Sequence, residues 1–151
     1  MTVVFRADAN GTLGTGHVMR CMGLAMRLQT DGIDSLRVSE SLPEPLRNWL
    51  RRMNLAFREL ADIRYVGQQS DAEQTAFVIQ QLDCAPLLVV DHYGLGYEWE
   101  NYLGGLVNAV WAIDDLANRE HDCRVLIDPG LHPRADERYR LLLPRDCVQL
   151  L

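Results

Sequence analysis

Short apolar runs and longer amphipathic stretches alternate along the chain. "TVVF" (2–5), "DSLRVS" (34–39), "PLLVV" (86–90), "AVWAI" (109–113) and "RVLI" (124–127) have strand length and β-branched character. "LAFREL" (55–60) is a further candidate. Between them, Val18, Cys21, Met22, Ala25 and Leu28 recur at helical spacing, predicting a helix from about His17 to Asp31 with Gly32 as its C-terminal stop. Residues 43–54 predict a second helix, with Leu46, Trp49, Leu50 and Met53 inward and the arginines outward. Ser70 and Glu73 have capping-box spacing and predict a helix running to about Asp83 through Ala72, Ala76, Ile79 and Leu82. A fourth helix is expected around 97–107, weakened by Gly104 and Gly105.

The continuous apolar run at 86–90 fits a parallel strand covered on both faces. Strand–helix–strand order repeated in this way predicts an α/β chain with a doubly wound, Rossmann-like, mostly parallel sheet in one domain over 1–151. In such sheets ligands bind beyond the carboxyl ends of the strands. Those ends carry Asp8, then Asp91-His92-Tyr93, then Asp114-Asp115, and Asp128, while His17 opens the first helix on the same rim. Strand-end aspartates also cap turns, so about half would be structural on turn chemistry alone.

Composition narrows the partners. The formal charge is -6, and every basic side chain is arginine, since the chain has no lysine. An acidic chain without basic runs argues against nucleic acid or an anionic membrane as partner. The missing lysine also excludes a response-regulator receiver, which shares the doubly wound sheet but needs that residue. Cys21, Cys84, Cys123 and Cys147 form no C-x-x-C pair and are expected as buried free thiols of a reducing cytoplasm. No signal peptide or membrane span is evident, so the expected location is cytoplasmic. "EHDC" (120–123) with His92 lacks structural-zinc spacing, and neither metal nor cofactor is expected.

The stretch "DANGTLGTGHVMRC" (8–21) separates the first strand from the first helix. As a Walker loop it fails, because His17 and Val18 stand where lysine and a hydroxyl belong; as G-x-G-x-x-G it fails at Met19. Its glycines still let the backbone approach a ligand, and the helix N-terminus still favours an anion such as a diphosphate. The same dipole disfavours added positive charge on His17, leaving a ring nitrogen to accept a proton from water. A histidine that merely caps the loop is the competing reading.

"FRADANGTLGTGHVMRC" (5–21), "VVDHYGL" (89–95) and "AIDDLANREHDCRVLID" (112–128), in collinear order, together resemble the UDP-sugar hydrolases of pseudaminic acid biosynthesis (PseG) and the related spore-coat protein SpsG. The resemblance implies the N-terminal half of a GT-B fold related to the MurG glycosyltransferase. It implies metal-free, inverting hydrolysis of UDP-2,4-diacetamido-2,4,6-trideoxy-β-L-altropyranose at the anomeric carbon, releasing UDP. It makes His17 the base for the attacking water and places Tyr93 at the sugar.

The residue types suit that chemistry, because a diphosphate leaves without much acid help and the demand falls on activating water. Asp91 is expected to orient the loop or His17. Asp8, Asp115 and the loop residues Gly14, Thr15 and Gly16 are expected to line the substrate, with Asp114 a weaker candidate. Members of the family carry a C-terminal UDP-binding domain after a segment like "GPxYALLRxEF", and this chain ends at "LLLPRDCVQLL" just before it. The expected partners are therefore the UDP-sugar, that missing domain and a second copy in a homo-oligomer, with weak or no activity for this domain alone. A non-catalytic nucleotide-sugar-binding or partner-binding module is the alternative.

Overall fold

In the computed structural model, which describes residues 1–9, 15–40, 42–60 and 67–151, seven parallel strands form one sheet in the order β3-β2-β1-β4-β5-β6-β7. In chain order the elements are β1 (Thr2–Ala7), α1 (Gly16–Thr30), β2 (Asp34–Ser39), α2 (Glu44–Arg52), β3 (Ala56–Glu59) and α3 (Gln68–Ile79). They continue as β4 (Leu87–Asp91), α4 (Tyr97–Gly104), β5 (Ala109–Ile113), β6 (Val125–Ile127), α5 (Ala135–Arg138) and β7 (Val148–Leu150). This is the doubly wound α/β arrangement. The strand order reverses between β1 and β4, which pair directly from Val3↔Leu87 to Ala7↔Asp91.

Strand alternation sorts the core into two layers. Val3, Phe5 and Ala7 of β1 and Val89 of β4 pack with Val18, Cys21, Met22 and Ala25 of α1 and Leu50 of α2. Val4, Leu88, Val90, Val110, Ala112 and Leu126 pack on the other face with Ala72, Ala76 and Ile79 of α3 and Trp99 and Leu103 of α4. Central strands buried on both sides need unbroken apolar sequence, and the run at 86–90 supplies it. Gly32 takes φ +72°, the left-handed turn that ends α1.

Several local expectations change. Ser70 does not open α3: the helix begins at Gln68 behind Gly67, and the Ser70 hydroxyl accepts from Gln74 Nε2 at 3.3 Å inside the first turns. Gly67 takes φ +127° there, a backbone conformation that glycine adopts readily and serine does not. That helix also stops at Ile79, with turn residues carrying the chain to β4. Cys84 is exposed rather than buried, because it lies in that turn; Cys21 and Cys123 are buried and Cys147 intermediate, all free. The short α5 and the edge strand β7 have no periodic pattern long enough to announce them. Among the described residues no helix is long and apolar enough to cross a membrane.

Candidate functional site

Each strand-end aspartate of β1, β4, β5 and β6 is buried and held by an arginine. Arg6 forks onto Asp8 at 2.6 and 2.8 Å, and Arg20 onto Asp91 at 2.7 and 2.8 Å. Arg119 reaches Asp114 at 2.6 Å, and Arg138 reaches Asp128 at 2.5 Å. The guanidinium fork matches a carboxylate in two parallel hydrogen bonds, which a lysine ammonium does not reproduce. An all-arginine basic complement suits this rim.

At the β1–β4 reversal the Arg20–Asp91 pair also holds a histidine. His17, in the first turn of α1, is 4% exposed, and its Nδ1 lies 2.6 Å from Asp91 Oδ1, the carboxylate at the end of β4. A carboxylate accepts at that distance, so Nδ1 is the ring nitrogen that donates. Tyr93 meets the ring edge-on, with centroids 4.4 Å apart. Gly16, His17, Arg20, Tyr93 and Asp115 line an open hollow of about 240 Å³ at this point. Asp115 Oδ1 is buried with no hydrogen-bond partner among the described residues, leaving an acceptor in that lining. Partial burial and the Asp115 carboxylate raise the Tyr93 phenol above its ordinary value.

His17, Gly16, Tyr93 and Asp115 thus converge, with Asp91 directly behind the ring. Thr15 is the exposed residue before α1, and its hydroxyl makes no capping bond. Gly14 lies outside the described residues. Asp8 is not brought into the His17 hollow. Its carboxylate takes Arg6, the Glu40 amide at 2.7 Å and His92 Nε2 at 3.3 Å, and lines a separate hollow of about 180 Å³ on the α3 side. Burial opposes its charge, but the His92 and Arg6 contacts win and hold it well below the usual carboxylate range. Asp114 follows the turn reading, accepting the Ala117 amide at 2.8 Å.

Arg6, Arg20 and Arg37 escape a motif reading: Arg6 bridges Asp8 to Asp71, which lies 65 residues beyond the arginine, while Arg20 reaches Asp91 and Arg37 the Ala7 carbonyl. For Arg20 a local signal exists: three residues after His17 on a helix, it shares that residue's face. Arg37 on β2 is buried and donates to the Ala7 carbonyl at 2.8 Å, and burial lowers its guanidinium to about 10.

A second histidine is structural. His121 Nδ1 sits 2.7 Å from Glu100 Oε1, both fully buried, with Asp114 on the other side of the ring. Burial disfavours the imidazolium, yet the two carboxylates outweigh it and raise His121 above its ordinary value. Its contribution to stability is then complete below about pH 6.5 and fades as pH climbs through the folded value. For Asp114 burial works against the charged form, but His121, the Ala117 amide and Arg119 lower it well below the carboxylate range. That contribution holds above about pH 4 and fades as acid is added below it. Thermal unfolding followed across pH is expected to lose its alkaline decline in His121→Gln and part of its acid decline in Asp114→Asn. An unchanged alkaline limb in His121→Gln would contradict this assignment. Among the described residues, no group of three or more histidine, cysteine or acidic side chains is placed to hold a metal ion.

No protein-family model and no curated protein matches the chain. Among solved structures the fold is similar to the crystal structure of Acinetobacter baumannii MurG, with a TM-score of 0.49 and 14% identity. The match covers 90% of this chain and 47% of that one, so the chain spans about half the length of that structure.

Proposed function

We propose that this chain is the sugar-side domain of a UDP-sugar hydrolase, with His17 as the general base. The observation that carries this reading is the His17–Asp91 pair at the mouth of an open hollow on the sheet's reversal point, where doubly wound sheets take their ligands. Water held at His17 Nε2 gives up its proton to that nitrogen while its oxygen attacks the anomeric carbon. The carbon–oxygen bond to UDP breaks on the opposite face, UDP departs with the electron pair, and the anomeric centre inverts. Asp91 stabilises the imidazolium that forms, as a carboxylate behind a catalytic imidazole does elsewhere. Tyr93 and Asp115 offer the sugar an aromatic edge and an unoccupied acceptor. The motif resemblance of residues 5–21, 89–95 and 112–128 supports UDP as leaving group and a diacetamido-trideoxy sugar as the group transferred to water.

Most of the UDP contacts belong to the C-terminal half of such enzymes, with the diphosphate near residues 14–17 when that half is present. UDP release is therefore expected when the 151-residue chain is mixed with a separately produced C-terminal half of that family, and weak or no release from the chain alone. Binding of the nucleotide-sugar with no release in either case would overturn the hydrolase reading in favour of a non-catalytic binding module.

A further inference from the structure

A general base needs its proton on the correct nitrogen, and a carboxylate behind the ring both fixes that choice and draws a second proton toward it. Asp91 is buried, so its pull on His17 is little screened by water. The groups facing the pair come from several elements. Arg20 and Cys21 face it from α1, and Tyr93 faces it from the turn after β4. Asp115, beyond β5, lines the same hollow, and Arg37 on β2 feels Asp91 through space. The Cys21 thiol is raised to about 12, chiefly by burial and then by Asp91, and so carries no charge. Of the two cations, only Arg20 touches the carboxylate, gripping both oxygens at 2.7 and 2.8 Å, with Nη2 3.5 Å from His17 Nδ1.

We propose that Arg20 is a positioning residue for this pair: its fork fixes Asp91 as acceptor of the His17 Nδ1 proton and offsets the carboxylate's pull for a second one. This rests on the reading of His17 as the base. With Oδ1 and Oδ2 both tied to one planar guanidinium, the carboxylate has a single orientation, and Nδ1 is the ring nitrogen that meets it. The positive charge opposes imidazolium formation before substrate arrives. A lysine keeps the charge but loses the planar two-point grip.

Long-range proton–nitrogen NMR of the nitrogen-15-labelled chain reads this directly, with the His17 signals identified by their loss in His17→Asn. The wild type is expected to show Nδ1 protonated and Nε2 bare at neutral pH. Arg20→Gln is expected to move the His17 titration midpoint upward by roughly one pH unit. Arg20→Lys is expected to hold the midpoint nearer the wild type while mixing the two ring tautomers. A wild-type ring protonated on Nε2, or a midpoint unmoved in a folded Arg20→Gln chain, would overturn the proposal. Should Arg20→Gln fail to fold, an unmixed wild-type tautomer in Arg20→Lys overturns it equally. The ring is read without turnover, so correct NMR behaviour with no UDP release sinks the hydrolase reading alone. UDP release with an unmoved midpoint sinks the Arg20 role alone.

Discussion

His17→Asn is expected to reduce UDP release by the chain and its complementing C-terminal half by roughly a hundred- to ten-thousand-fold, the usual worth of a positioned general base. Asparagine retains a polar donor for Asp91 and is smaller than the imidazole, so the fold is expected to survive. The carboxylate is also held by Arg20, at 2.7 and 2.8 Å in the wild type, a partner the substitution does not remove. What disappears is, among the described residues of the hollow's lining, the imidazole proposed to take a proton from water. Far-ultraviolet circular dichroism and the thermal midpoint, measured beside UDP release, separate lost chemistry from lost structure. Turnover at the wild-type rate would remove His17 from the mechanism. Loss of turnover together with a collapsed melting curve would make His17 structural instead.

Arg6→Leu is expected to be the most damaging change outside the apolar core. Arg6 is 1% exposed and serves Asp8 and Asp71 together, with Asp71 also accepting from Trp99 Nε1 at 2.7 Å and from Thr75. Removing the cation leaves Asp8 with the Glu40 amide and His92, and part-buried Asp71 with Trp99 and Thr75, but neither with its arginine. Breaking such a pair costs about 3–5 kcal/mol. For a chain of this size that corresponds to a fall of roughly 10 °C in the thermal midpoint. Pairing the change with Asp71→Asn is expected to recover part of the loss, because one stranded charge is then neutral. If the double variant is no more stable than Arg6→Leu, the loss comes from packing rather than from the uncompensated charge. Urea titrations of the three proteins decide between these.

The central strands were readable because burial on both faces writes an unbroken apolar run, as in "PLLVV", and α1 was readable because its inner face returns at 18, 21, 22 and 25. Topology then brought His17, Asp91, Tyr93 and Asp115 to one rim without any statement about side chains. The capping-box reading of Ser70 failed because spacing says nothing about the backbone before it, where Gly67 at φ +127° already precedes the helix start at Gln68. Asp8 was drawn toward the substrate by its place at a strand end. Its removal to the α3 side depends on Arg6, His92 and the Glu40 amide, the last 32 residues away in the chain. The Arg6–Asp71 and Arg20–Asp91 pairs were illegible for the same reason. Only Arg20 lies close enough in sequence to its site for helical geometry to have marked it.

The buried forks along the rim carry a practical consequence for work in concentrated salt. Mobile ions weaken interactions between exposed charges but reach enclosed pairs poorly. The scaffold set by Arg6, Arg119 and Arg138 is therefore expected to keep its shape in molar sodium chloride, while a charged ligand resting in the open hollow is washed away. Elution by salt thus offers a gentle route to a ligand-free preparation that retains the folded rim.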